Sequence, residues 1–176
     1  MLPRHSCAVF ADAIYNRSVS TLERFKRAQD QPHAGFATAL DELRAGRKTG
    51  HWIWYIFPQL AGLGSSGFSQ LYGIADVTEA TDYLRDPVLR GRFLLAATTV
   101  VERQRAGVSL PGLMGSATDV LKLVSSLTLF GAIASRLHAT EANDEYRRLG
   151  DVTGEILAAA ESEGYPRCRY TLRSLT

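Results

Sequence analysis

Apolar positions recur at helical spacing along most of the chain. After Ser20 or Thr21, either of which can cap a helix with Glu23 in its first turn, Leu22, Phe25 and Ala28 fall on one face. Gln31-Pro32 interrupts the pattern, and Phe36, Ala39, Leu40 and Leu43 resume it. Gly46 is placed to end that second helix, because glycine takes the left-handed C′ conformation without a steric penalty. Arg44, Arg47 and Lys48 cluster at the same end, where the helix dipole favours cations. The run HWIWYIF, residues 51–57, breaks the rhythm. Aromatic and β-branched residues fill both parities there, so alternation selects neither strand nor helix, and Pro58 pushes Phe57 out of the α region. A strand needs partners, and no second strand is evident. A short buried helix or an extended segment inside a helical protein is therefore expected.

The second half is more regular. Asp76 and Glu79 read as a capping box for a helix through Leu84, and Asp86-Pro87 restarts a helix with proline at its first position. Val88, Leu89, Phe93, Leu94, Ala97, Val100 and Val101 form its apolar face, which fades in the charged run 102–105 and stops at Gly107. Ser116, with Asp119 three residues on, opens the most apolar helix, from Ala117 to about His138. Its stripe is Val120, Leu123, Val124, Leu127, Phe130, Ile133, Ala134 and Leu137, widened by Leu121 and Leu129, and such a helix is expected at the centre of the fold. Beyond Thr140 the pattern predicts a helix to Leu149, a second from about Asp151 to Ser162, and a basic, irregular end. The expected fold is all-α: a single compact domain of six or seven helices over residues 20–176, behind a flexible tail at 1–19.

Composition narrows this little. The 176 residues suit one core, and 20 basic against 18 acidic residues leave too small a charge for binding nucleic acid or an anionic membrane through a bulk field. No apolar run approaches the ~20 residues needed to span a bilayer. Cys7 and Cys168 make neither a metal spacing nor a disulfide framework, so a reducing cytoplasm is the expected location. The four histidines are scattered, and neither a metal nor a cofactor is expected. Asp41 and Glu42 are adjacent on a helix and point apart, unlike a glycosidase pair.

Candidate chemistry gathers in three places. Arg47, Lys48 and His51 flank the aromatic run: the cations can grip a phosphate or carboxylate, His51 can carry a proton near neutrality, and Trp52 and Trp54 offer flat faces for stacking. Equally, both tryptophans are simple core residues. GLGSSG fits G-x-G-x-x-G through Gly62, Gly64 and Gly67. A dinucleotide turn would need a strand before it, which is doubtful. A loop whose Gly64 and Ser65 expose backbone N–H groups to an anion, and a plain loop with a serine N-cap, both remain, and the plain loop is favoured. Finally, Asp119, Lys122, Ser125 and Ser126 share one side of the central helix, and that side runs on into Leu129 and Ile133. Lys122 and the serines then either face a ligand across a cavity, or form two exposed turns with a surface Asp119–Lys122 pair.

Several blocks together resemble a known family. LERF with Ala28-Gln29, residues 39–48, HWIWYIFPQL at 51–60, AGLGSS at 61–66, Tyr72-Gly73-Ile74, and Asp119 to Lys122 followed by SSLTLF at 125–130 are similar to the domain-of-unknown-function 1810 family, and Tyr170-Thr171-Leu172 resembles its closing segment. The resemblance implies a small helical bacterial protein and no established activity. This chain departs from the family pattern at Ile53 and Leu127, where the family usually has methionine. It also departs near Arg167-Cys168-Arg169, where the family has an acidic residue.

The expectation is a cleft between the Arg47–Trp54 segment and the Lys122–Ser126 helix, taking a small anionic or nucleotide-like ligand. Any hydrolase- or transferase-type acid/base chemistry there would fall to His51 as proton carrier, with Lys122 stabilising negative charge. The alternative is a non-enzymatic protein-interaction or homodimerisation module, in which the aromatics are core or interface. Converging tips of Lys48, His51, Lys122 and Ser125 would favour the first.

Overall fold

The computed structural model describes residues 21–176, so the Ser20 cap and the tail at 1–19 lie outside the described residues. Helix α1 occupies residues 21–29, and the turn across Gln31-Pro32 leads to α2 (Phe36–Arg44). Gly46, at φ 80°, ends α2: its N–H bonds Leu43 O at 2.9 Å while Arg47 N–H reaches Glu42 O at 3.1 Å, the paired bonds of a Schellman turn. The aromatic run then makes a single buried turn, α3 (Ile53–Ile56), and the glycine loop leads to α4 (Gly67–Leu71). The described residues contain no strand; Leu60 and Ile74 form one isolated parallel bridge.

Helix α5 (Val77–Arg85) is capped by Asp76, whose carboxylate accepts the Glu79 N–H at 2.9 Å. Glu79 answers one residue further out, on the Ala75 N–H at 2.7 Å. Asp86 caps α6 (Pro87–Arg105) with Pro87 inside its first turn, and Gly107 follows at φ 89°. Helix α7 (Leu110–Met114) is short, and Ser116 caps α8 (Ala117–Glu141) through the Asp119 N–H.

The chain then departs from the expected pattern. Residues 144–162 form one continuous helix, α9 (Asp144–Ser162), with Gly150 in its interior. Gly131 of α8 shows why small residues stand along this pair: a Cβ there would lie 2.7 Å from Thr153 Oγ1 on α9. The C-terminal segment, expected to be irregular, forms α10 (Arg169–Ser174), docked by the Tyr170 hydroxyl on Ala61 O at 3.0 Å.

Helix α8 is central, as its stripe predicted. It packs against α9, α5, α7, α10 and α3. Phe130 meets Phe93 of α6 at 4.8 Å and Tyr83 of α5 at 4.9 Å, and Phe57 closes on Phe93 at 5.4 Å. Burying such rings contributes about 1.5–3 kcal/mol each. By length and mean hydropathy α8 would suffice to cross a membrane, yet 67% of its most apolar window is buried in the fold, as in a core helix. Leu121 is the exception in its stripe, 54% exposed. The architecture is thus all-α and a single compact domain. Its helices outnumber the six or seven expected because one-turn pieces α3, α4, α7 and α10 give no periodic signal of their own.

Candidate functional site

Two segments some seventy positions apart meet at the start of α8. The loop after α2 passes beneath α7: Lys48 N–H bonds Leu113 O at 2.7 Å, and Gly115, at φ 78°, leaves its absent Cβ only 3.1 Å from Lys48 O. This close passage delivers the Lys48 ammonium to Asp119, Nζ to Oδ2 2.6 Å, while Lys122 takes the other oxygen at 2.8 Å. One carboxylate therefore serves two ammonium groups. Their side chains are 8% exposed for Lys48, 13% for Asp119 and 21% for Lys122. Burial alone would raise the Asp119 pKa; the hydrogen bonds from Lys122 and Lys48 outweigh it and hold the carboxyl below its usual range.

A second carboxylate shapes the loop itself. Glu42 on α2 accepts the Thr49 N–H at 2.7 Å, the Thr49 hydroxyl at 2.8 Å, the Gly50 N–H at 2.9 Å and the Trp52 indole N–H at 2.8 Å. Desolvation pushes Glu42 up, and the Gly50, Thr49 and Trp52 donors bring it below the ordinary value. Trp52 is fully buried, a core residue with a satisfied N–H rather than a stacking face.

Lys122 also lines a surface cleft of about 570 Å³. Its walls are Trp54 and Gln59, the loop Leu63–Ser66 with Ser69, the first turns of α8 from Thr118 to Ser125, and Pro166 with Cys168. Trp54 is half-buried; the Lys122 ammonium lies 4.2 Å over its ring, and Phe68 stacks on it at 5.1 Å. Ser66 caps α4 through the Ser69 N–H at 3.1 Å, so the glycine motif is a loop with a serine N-cap and no dinucleotide turn. Ser125 bonds Thr171 of α10 across 3.2 Å, and Thr128 accepts the Cys168 N–H at 3.3 Å. Burial would raise the Cys168 thiol pKa, but the Thr171 hydroxyl and N–H, with Ser125 and the Tyr170 N–H, lower it on balance.

Of the residues singled out from sequence, the cleft gathers Trp54, Gly64, Ser65, Lys122 and Ser125. Lys48 reaches the same Asp119 from behind the cleft wall. Arg47 and His51 are exposed and outside it, because the turn after Gly46 points them to solvent. Ser126 is fully buried, its Oγ without a hydrogen-bond partner among the described residues, and it too is outside. Lys48 and Lys122 converge on Asp119, and Lys122 and Ser125 line the same cleft, whereas His51 joins neither group.

Sequence reasoning missed Glu42, Gln59, Leu121 and Cys168. Glu42 carries no local signal, since its partners come from a later loop. Cys168 had none either, because cysteine is not among the residues that mark a helix N-cap. A separate depression of about 620 Å³ lies by α1 and α5, lined by Arg24, Asp76, Glu79 and Asp82. Its one cation is committed to Glu79 at 2.6 Å and to Gly73 O at 3.0 Å, so it offers an anion little. Among the described residues no group of three or more His, Cys, Asp and Glu could hold a metal.

Fold and site together define a class: a small all-helical protein whose buried longest helix brings a lysine-bearing, polar end to a surface cleft. The chain belongs to the family described as Protein of unknown function (DUF1810), which matches residues 19–149. It is similar to a solved structure, the conserved hypothetical protein Rv1873 of Mycobacterium tuberculosis, at 37% identity over 86% of this chain and 94% of that one, with a TM-score of 0.66. No curated protein matches it. Pro166 and Cys168, the third wall of the cleft, fall beyond the residues matched by the family.

Proposed function

We propose that the protein binds a small anionic ligand in the cleft between Trp54, the Leu63–Ser66 loop and the start of α8. The observation that carries this reading is the charge of the wall: among the described residues Lys122 is the one ionised side chain lining a space of about 570 Å³, and its partner Asp119 stands outside that lining. Asp119 is shared with Lys48, so the three groups together keep one positive charge. Lys122 meets the anion, and the hydroxyls of Ser65 and Thr118 offer further donors around it. A cleft of this size suits a metabolite.

Acid/base catalysis is not part of this reading, because His51 stands outside the cleft and the Lys122 ammonium is paired with Asp119 at 2.8 Å. A cytoplasmic location agrees with the unpaired Cys168. The test is a thermal-shift screen of the full chain against a broad library of small acids, sugar phosphates and nucleotides. A ligand at 100 times its Kd adds about 2.7 kcal/mol, and Lys122→Ala should abolish any such response. Flat responses across the library would end the reading. A second reading, a homodimerisation face, is favoured by the exposed apolar side chains Phe68 and Leu121 near the cleft mouth. Sedimentation equilibrium separates the two, since a dimer covering this face would lose Lys122-dependent binding.

A further inference from the structure

We infer that the cleft selects a monoanion carrying an apolar body, an aryl- or alkyl-carboxylate, over phosphate esters and nucleotides. This rests on the small-anion reading above and narrows it. Three features of the wall support it.

The first is charge. Among the described residues no arginine lines the cleft, and the single lysine there is already half-neutralised by the carboxylate it shares. A phosphate ester brings nearly two negative charges and is recognised by forked guanidinium groups or several cations. The glycine loop does not supply the deficit: α4 is one turn long, and its Ser69 N–H is already taken by Ser66. One net positive charge matches one carboxylate.

The second is the aromatic face. Among the described residues Trp54 is the only aromatic one in the wall, and its indole is occupied by Phe68 at 5.1 Å and by the Lys122 ammonium at 4.2 Å. A nucleobase would have to displace one of them to stack. A carboxylate needs no ring; it takes the ammonium from its edge while the cation–π contact persists.

The third is the remaining wall. Leu63, Leu121, Val124 and Pro166 present apolar surface within the same space as Lys122. Leu121 is 54% exposed on the helix that forms the core, and a bound apolar body would cover it. Ligand charge and ligand bulk therefore have separate, adjacent places.

Cys168 provides a built-in reporter, because this free, half-buried cysteine lines the cleft. In the full chain carrying Cys7→Ser, alkylation of Cys168 by iodoacetamide is followed by intact mass, with 4-phenylbutyrate, acetate, inorganic phosphate, AMP or the neutral 4-phenylbutan-1-ol as probe. The expected result is protection by 4-phenylbutyrate at lower concentration than by any other probe. Lys122→Met should weaken that protection at least about tenfold, and Leu121→Gln about three- to tenfold. Both sites are partly exposed, and the comparison of acid with alcohol in the unaltered cleft needs neither variant to fold. Protection by AMP or phosphate without 4-phenylbutyrate would overturn this inference and leave the small-anion reading standing. Equal protection by acid and alcohol would overturn it on charge. Protection by none of the probes would overturn it too, while the broader reading would stand or fall on its own library screen.

Discussion

Removing the carboxylate of Asp119 tests the centre of the site most directly. In Asp119→Ala, Lys122 can turn to water, since its side chain is 21% exposed; Lys48, at 8%, cannot do so freely. Lys48 would keep the Gly50 carbonyl at 2.6 Å and its place over the Trp52 ring, 5.3 Å from the centroid, but no anion. Stranding one partner of a fully buried pair costs about 3–5 kcal/mol, against about 0–1 kcal/mol for an exposed pair. The surviving carbonyl bond and the flexible lysine stem place this site at about 2–3 kcal/mol. Asp119 also sits in the first turn of α8, where a negative charge adds about 0.3–1 kcal/mol. The expected loss is therefore about 2–4 kcal/mol, read as a lower urea midpoint at unchanged slope. Adding Lys48→Met to Asp119→Ala removes the stranded charge and should recover at least half of the loss. A single variant within about 0.5 kcal/mol of the parent, or a double variant no better than the single, would refute the electrostatic account.

The acid limb follows in sign. Asp119 has a folded pKa below its unfolded value, so its contribution is complete above the unfolded pKa, about 3.9, and is lost as pH falls through the folded one. Asp119→Ala should flatten the stability profile in that window, measured by urea midpoints between pH 2 and 6. Glu42 obeys the same sign, and Glu42→Gln, which turns an amide donor toward four existing donors, should cost about 1–3 kcal/mol and shift Trp52 emission to the red. Gly131→Ala should destabilise by about 1–3 kcal/mol through the 2.7 Å approach to Thr153 Oγ1. Thr153→Ala in the same chain should return part of that loss, and a Gly131→Ala protein as stable as the parent would disprove the close packing. Gly62→Ala meets both a φ of 90° and the Tyr170 hydroxyl at 2.6 Å, so it should loosen α10 and speed Cys168 alkylation.

Most of the long helices were legible in one dimension because their causes are local. Caps at Asp76, Asp86 and Ser116 and the stop at Gly46 each depend on residues a few positions apart, and the apolar stripe of α8 on a step of three or four repeated along one helix. An approach of this segment to α8 was expected from polar groups stranded on an otherwise buried helix; Lys48 and Trp54 make it, while Arg47 and His51 face solvent. Gly150 misled because a glycine reads as a break, whereas here it continues the helix with room for a Cβ 3.6 Å from Ser135 Oγ.

Sequence by itself, then, determined the helical class, the central place of α8 and the presence of a lysine and serine group on its first turns, all consequences of spacing along a single element. Only the tertiary structure decided that Lys48 and Lys122 share one carboxylate, that Trp52 is core and Trp54 is wall, that His51 faces solvent, and that Cys168 closes the cleft. Those outcomes depend on where loops of no regular period cross a helix from a distant part of the chain. A difference of one turn in such a crossing exchanges a buried side chain for an exposed one, and nothing in the local spacing records which was chosen.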